Sequence, residues 1–206
     1  MKKVVLLGLV GFVLASFVAC GTVNAGKNPT ESSQQTEETE SEFYIEIADA
    51  TEILTKTWNA YTEEERFDIM GGHFGSANLE APAKFDLTQV TDLVQMYCVP
   101  VGQIACVDDA ATMIDFYNSG RFTAGAYHIN DIEAVQGFID EMKTQVLENQ
   151  WHGEIPEKLL IIQVDEQYVV TVYGRENLVD EFKSKIESIY QTMIIIRIEE
   201  KTYGTF

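Results

Sequence analysis

The chain has 206 residues, 46% of them hydrophobic and 23% charged, an ordinary globular composition. Its formal net charge of −19 excludes a nucleic acid as partner, because such binding rests on Lys and Arg neutralising phosphates. Anionic membrane surfaces repel it for the same reason, and the acidity reads as solubility and colloidal repulsion; the alternative is a basic partner or a cation such as calcium, for which no ligand loop is visible.

Met1-Lys2-Lys3 is a short positive start, and Val4 to Val18 follows as 15 residues of which only Ser16 is polar. As a helix that run would be about 22 Å long, short of a hydrocarbon core of about 30 Å. A positive start, a short apolar run and a small-residue site make residues 1–19 an export signal rather than a permanent span. The run ends at Phe17-Val18-Ala19-Cys20-Gly21, which resembles the lipobox of bacterial lipoproteins. The resemblance implies that Cys20 is diacylated, with palmitate-type chains, and becomes the new N-terminus. Ala19 and Cys20 fit; Phe17 and Val18 depart from the usual Leu and small residue. The rival is ordinary cleavage after Val23-Asn24-Ala25. Cleavage before Cys20 removes Lys2 and Lys3 and no acid, leaving 12 basic against 33 acidic residues and a charge of −21.

Residues 20–42 read as a tether. Val23 is the one large apolar residue among Ser, Thr, Gln, Glu and Asn, so the segment cannot bury enough surface to offset ordering. A flexible chain of this length spans about 26 Å between its ends. Two acyl chains give stable anchoring. The expected address is therefore the cell membrane, lipid-anchored, on its extracytoplasmic face.

Residues 43–206 are enough for one well-buried domain. Asp49 reads as an N-cap for a helix running to about Arg66, with Ile53, Leu54, Trp58 and Tyr61 on one stripe. Phe67 to Lys84, with Gly71, Gly72, Gly75 and Pro82, reads as loop with a short strand at Phe67 to Met70. Asp86 caps a second helix carrying Leu87, Val90, Leu93, Val94 and Tyr97, which Pro100 and Gly102 break. The spacing of Ile104, Val107, Ala111, Ile114 and Tyr117 predicts a third helix from about Gln103 to Asn118, ended by Gly120.

The remainder reads as a strand at Phe122 to Ile129, a helix capped at Asn130 or Asp131, and strands at Leu159 to Val164 and Tyr168 to Tyr173 joined by Asp165-Glu166-Gln167. A helix from Glu176 or Asn177 and a strand at Met193 to Ile198 complete it. The order β-α-β-β-α-β predicts an α+β fold with a ferredoxin-like sheet. Leu159-Leu160-Ile161-Ile162 and Met193-Ile194-Ile195-Ile196 are apolar at every position, as strands covered on both faces are. Two C-terminal helices are expected on one face and the three N-terminal helices on the other.

Candidate chemistry is sparse. Gly71-Gly72-His73-Phe74-Gly75 lacks the preceding strand, the Lys-Ser/Thr end and the following helix of a phosphate loop, and reads as a turn-rich connector. His73, His128 and His152 have no mutual ligand spacing, so no metal site is expected. Cys98 and Cys106 flank the Pro100–Gly102 turn; they are either a candidate disulfide or two buried thiols. Asp108-Asp109 and Glu63-Glu64-Glu65 read as solvated helix faces. Tyr127, Trp151, Tyr168 and Tyr173 either line a cleft or belong to the core. No nucleophile elbow, zinc helix or dinucleotide glycine pattern occurs, and no cofactor is expected.

Phe122-Thr123-Ala124-Gly125-Ala126-Tyr127, the helix from Asp131, Trp151-His152-Gly153-Glu154-Ile155-Pro156-Glu157 and Tyr168-Val169-Val170-Thr171-Val172-Tyr173-Gly174 together resemble an uncharacterised family of Gram-positive-type surface lipoproteins. Some members carry the label bacteriocin transport accessory protein. The resemblance covers about residues 86–190 and implies no catalytic residues. The leading expectation is a non-enzymatic module that binds a protein or wall component. The alternatives are a small-ligand-binding lipoprotein serving a transporter and an extracellular hydrolase with a dispersed site.

Overall fold

The computed structural model describes residues 46–202, His152 excepted. The signal, the lipobox cysteine and the tether lie outside the described residues. Those that are described belong to one compact unit, Phe43–Phe206. Among the described residues no helix is long and apolar enough to cross a membrane.

Among the described residues four α-helices and seven strands make the fold: α1 (Ala50–Asn59), β1 (Ile69–Gly71), β2 (Ala83–Lys84), α2 (Val90–Tyr97), β3 (Val107–Asp115), β4 (Phe122–Ile129), α3 (Val135–Glu148), β5 (Lys158–Val164), β6 (Tyr168–Gly174), α4 (Glu176–Tyr190) and β7 (Ile194–Lys201). They form one antiparallel sheet in the order β1-β3-β4-β6-β5-β7, with β2 also paired to β3.

Local chemistry explains several boundaries. Asp49 caps α1 by accepting from the Glu52 backbone N–H at 2.8 Å, and Glu52 returns the favour to the Ala48 N–H at 2.8 Å, a reciprocal cap. Helix α1 stops at Asn59, short of Arg66, and the chain leaves through turn residues. Asp86 does not cap α2. Its carboxylate accepts from Thr88 N–H and hydroxyl within a preceding turn, and α2 starts at Val90. The helix ends on Cys98 in the left-handed region, φ 56°.

The third predicted helix is not formed. Residues 101–106 make a short 3-10 segment and 107–115 are β3, a strand buried at every position from Ala110 to Asp115. The apolar residues at 104, 107, 111 and 114 fit a helical spacing, but the intervening Ala110, Thr112 and Met113 are buried as well. A run buried on both faces belongs to a sheet interior. Small Ala110 and Ala111, beside Ala124, Gly125 and Ala126 on β4, leave room for helices to lie close on both sides.

The C-terminal element order is as expected, but the strand order departs from a ferredoxin-like sheet. There the last strand would lie beside the first, β4. Here β3 occupies that place and β7 pairs with β5 at the far edge. The consequence follows from the right-handedness of crossovers. The connections β4-α3-β5 and β6-α4-β7 both step two places in the same direction across the sheet, but their strands point oppositely. Right-handed crossovers then put α3 and α4 on opposite faces. Accordingly α1 and α4 pack one core with Ile53, Leu54, Trp58, Val179, Phe182 and Ile186. Helices α2 and α3 pack the other with Leu93, Tyr97, Val135, Phe138, Ile139 and Met142. The sheet is thus covered on both faces, as the apolar runs require, but each layer takes one N-terminal and one C-terminal helix. Strand β5 is buried throughout, whereas β7 alternates half-buried and exposed, with Ile195 at 58% exposure. An edge position, not burial on both faces, accounts for β7.

Candidate functional site

At one end of the sheet, three loops are bound into a rigid platform. The β3–β4 turn is organised by Asp115, whose side chain is fully buried. One carboxylate oxygen accepts from the backbone N–H of Tyr117 and of Asn118, each at 3.0 Å; the other accepts from the Arg121 guanidinium at 2.7 Å. Arg121 also lies over the Phe67 ring, 5.5 Å from its centroid. Asn118 donates to Glu154 at 3.0 Å, and Glu154 pairs with Arg175, which ties the turn to the loop before β5 and to the start of α4. Gly120 and Gly174 let backbones meet: a Cβ on Gly120 would stand 2.0 Å from the Glu154 carbonyl oxygen, and one on Gly174, at φ 153°, 2.3 Å from that of Arg121.

This platform displays Phe116 and Tyr117, 47% and 76% exposed, with rings edge-to-face at 5.1 Å. Half-exposed Ile155 belongs to one of the loops tied beneath them. Exposed aromatic side chains on a hydrogen-bonded turn are of the kind enriched at interface hot spots. Tyr117 falls on the apolar stripe of the helix that the spacing predicts, which hides it in the sequence. The signal available was Asn118-Ser119-Gly120 between two apolar runs, the pattern of a hairpin.

The residues singled out from sequence fall elsewhere and do not converge. His128 on β4 meets Asp108 at 2.5 Å, and its ring lies 4.8 Å from that of Tyr168 on β6. Asp108 is the extra residue of a bulge between Val107 and Asp109, which turns its carboxylate toward His128. Asp109 is not on a solvated helix: it accepts from the Ala50 N–H at 2.7 Å and pairs with Lys84 at 2.9 Å, fastening α1 and β2 to β3. Burial, then the charges of Asp109, Asp49, Asp108 and Asp165, hold the Tyr168 hydroxyl above its usual range. His73 approaches Asp92 to 3.0 Å but off the line of a hydrogen bond, near a hollow of about 400 Å³ lined by Ser76, Lys84, Phe85, Asp86 and Leu87. Glu65 is bound by Lys185 rather than solvated alone. His152 lies outside the described residues.

Of the four aromatics, Tyr127 and Tyr173 are core residues, Trp151 packs on Tyr173 at 5.3 Å and Tyr168 sits with His128; they line no common cleft. Cys98 and Cys106 carry free thiols. Burial pushes the Cys98 thiol up to about 11, so it is protonated and unreactive at neutral pH. Among the described residues no group of three or more His, Cys, Asp or Glu is placed to hold a metal ion.

Compared with known protein families, curated proteins and solved structures, the chain matches none.

Proposed function

We propose that the protein is a lipid-anchored, extracytoplasmic interaction module, and that a protein or cell-wall partner docks on the Phe116–Tyr117 face. The observation that carries this reading is the exposed aromatic pair on a turn that Asp115 and Arg121 have already fixed. Docking there buries aromatic area without having to order a loop first, and ordering is a principal cost of association. The anchor rests on the Lys2-Lys3 start, the apolar run and Ala19-Cys20. Replacing Cys20 with Ala should abolish palmitate incorporation and release the protein from the membrane; a variant that stays membrane-bound contradicts the anchor.

The docking face is tested in living cells with a photoreactive benzoylphenylalanine in place of Tyr117 or, as control, of exposed Glu141 on α3. The reading predicts a discrete adduct from position 117 that is absent from 141. Equal labelling at both, or none at either, would count against it. Hydrolysis is the second reading, favoured by the His73–Asp92 approach beside the Ser76-lined hollow. It would displace the first if a fluorophosphonate probe labelled the wild type and not Ser76→Ala.

A further inference from the structure

Strand β7 ends the sheet, and among the described residues no strand pairs with its outer side. Alternate N–H and C=O groups along it therefore point away from β5. An open edge of this kind is a template for another strand, and proteins close such edges with covers, charges or bulges. A bulge is present near the start: the register passes from Gln163 opposite Ile196 to Val164 opposite Ile194. Beyond it, 196–201 runs regularly and alternates in exposure. On the α4 side of this edge, Glu176, Lys183 and Glu187 reach to Lys201, Glu199 and Arg197 by ion pairs. A groove of about 760 Å³ lies there, lined by Asp180, Lys183, Glu187 and Arg197 among others.

We propose that β7 pairs antiparallel with β7 of a second copy, about a two-fold axis at Ile198, joining two sheets into one. The charges select both the partner and the register. The chain as a whole carries −19, but Ile194–Lys201 holds Arg197 and Lys201 against Glu199 and Glu200 and is neutral. Residues opposite one another in an antiparallel pair share a face, so a two-fold pairing that keeps each face continuous must centre on a residue. Centred on Ile198, it sets Arg197 opposite the partner copy's Glu199, and Glu199 opposite that copy's Arg197. Ile195 then lies opposite the aliphatic stem of Lys201. Centred one residue earlier, Arg197 faces itself; one residue later, Glu199 faces itself and Arg197 faces Lys201. Like charges directly opposite destabilise a pair and unlike charges stabilise it. The two neighbouring registers are thereby excluded and the one between them favoured. In the single chain Arg197 reaches Glu187 at 2.7 Å, and Glu199 holds Lys158 at 2.8 Å together with Lys183. These pairs extend the side chains along the α4 side of the edge, where an added strand would meet them.

Sedimentation of the intact protein tests this with reciprocal charge reversals. Wild type should sediment as a dimer. Arg197→Glu alone opposes Glu to Glu, and Glu199→Arg alone opposes Arg to Arg, so each variant should be monomeric. Mixed in equal amounts the two should recover a dimer, because every opposed pair is again unlike. That recovery also shows both chains to be folded, which a merely damaged edge would not. A monomeric wild type, a single variant that remains dimeric, or a mixture that stays monomeric would each overturn the proposal.

Discussion

Asp115 is the residue on which the candidate surface turns. Its buried carboxylate accepts two backbone N–H groups and a guanidinium, so removing it strips three partners at once. Charge-assisted hydrogen bonds of this kind contribute roughly 1.5–3 kcal/mol each when a partner is lost, with the terms overlapping in one network. Asp115→Ala should therefore lower stability by about 2–3 kcal/mol in a urea titration and loosen the presentation of Phe116 and Tyr117. Phe116→Ala with Tyr117→Ala should leave the melting curve close to wild type, because neither ring is buried. Gly125 on β4 has a different role. A Cβ there would lie 2.1 Å from the Tyr127 hydroxyl, and Tyr127 is fully buried beside Phe138, with rings 5.5 Å apart. Gly125→Ala should destabilise by about 1–3 kcal/mol through overpacking, read as a lower urea midpoint at unchanged slope.

At the scale of elements, the Glu65–Lys185 pair links the turn after α1 to α4, which carry one layer of the fold. The Lys185 ammonium, helped by the Thr62 N–H, holds the Glu65 carboxyl down to about 2 from an ordinary 4.5. A depressed carboxylate contributes stability that is present above its unfolded value and lost as pH falls through its folded one. The stability difference between wild type and Lys185→Met should accordingly narrow as pH is lowered from about 4.5 to about 2. The pair is only partly buried, so added salt should shrink the difference at any pH in that window.

Elements also show what the sequence could and could not disclose. Helices α1, α3 and α4 are legible because each carries one helical stripe, and strands β4, β5 and β6 because they are short runs bounded by turn signals; Asp49 and the Asp165-Glu166-Gln167 turn mark two of these ends. Strand β3 is not. Ala and Met favour helices as readily as they fill a sheet interior, and an accidental stripe from Ile104 to Ile114 tipped the reading. Only tertiary burial on both faces resolves it. The same ambiguity hides the candidate surface, since Phe116 and Tyr117 leave the strand where the helical spacing continues. The displacement of β7 to the far edge was illegible for another reason: strand order is a matter of which edge closes against which, and no local pattern encodes it.

For the molecule as a whole, the place of β7 sets the architecture. It turns α4 to the face opposite α3, which lets two mixed helical layers bury β5 throughout and β6 from Val169 to Gly174. It also leaves one sheet edge open while the sheet's loop end carries the aromatic platform. The two helical layers bury one hydrophobic cluster each, and the docking surface proposed above, the exposed Phe116–Tyr117 pair, lies on the periphery. Hydroxyl-radical footprinting of Tyr117 on intact cells, set against the purified protein, tests this most directly. The account predicts that Tyr117 is oxidised readily in the purified protein and protected on the cell, while Val101, equally exposed at 71%, reacts alike in both. Equal oxidation of Tyr117 on the cell and in solution would contradict it.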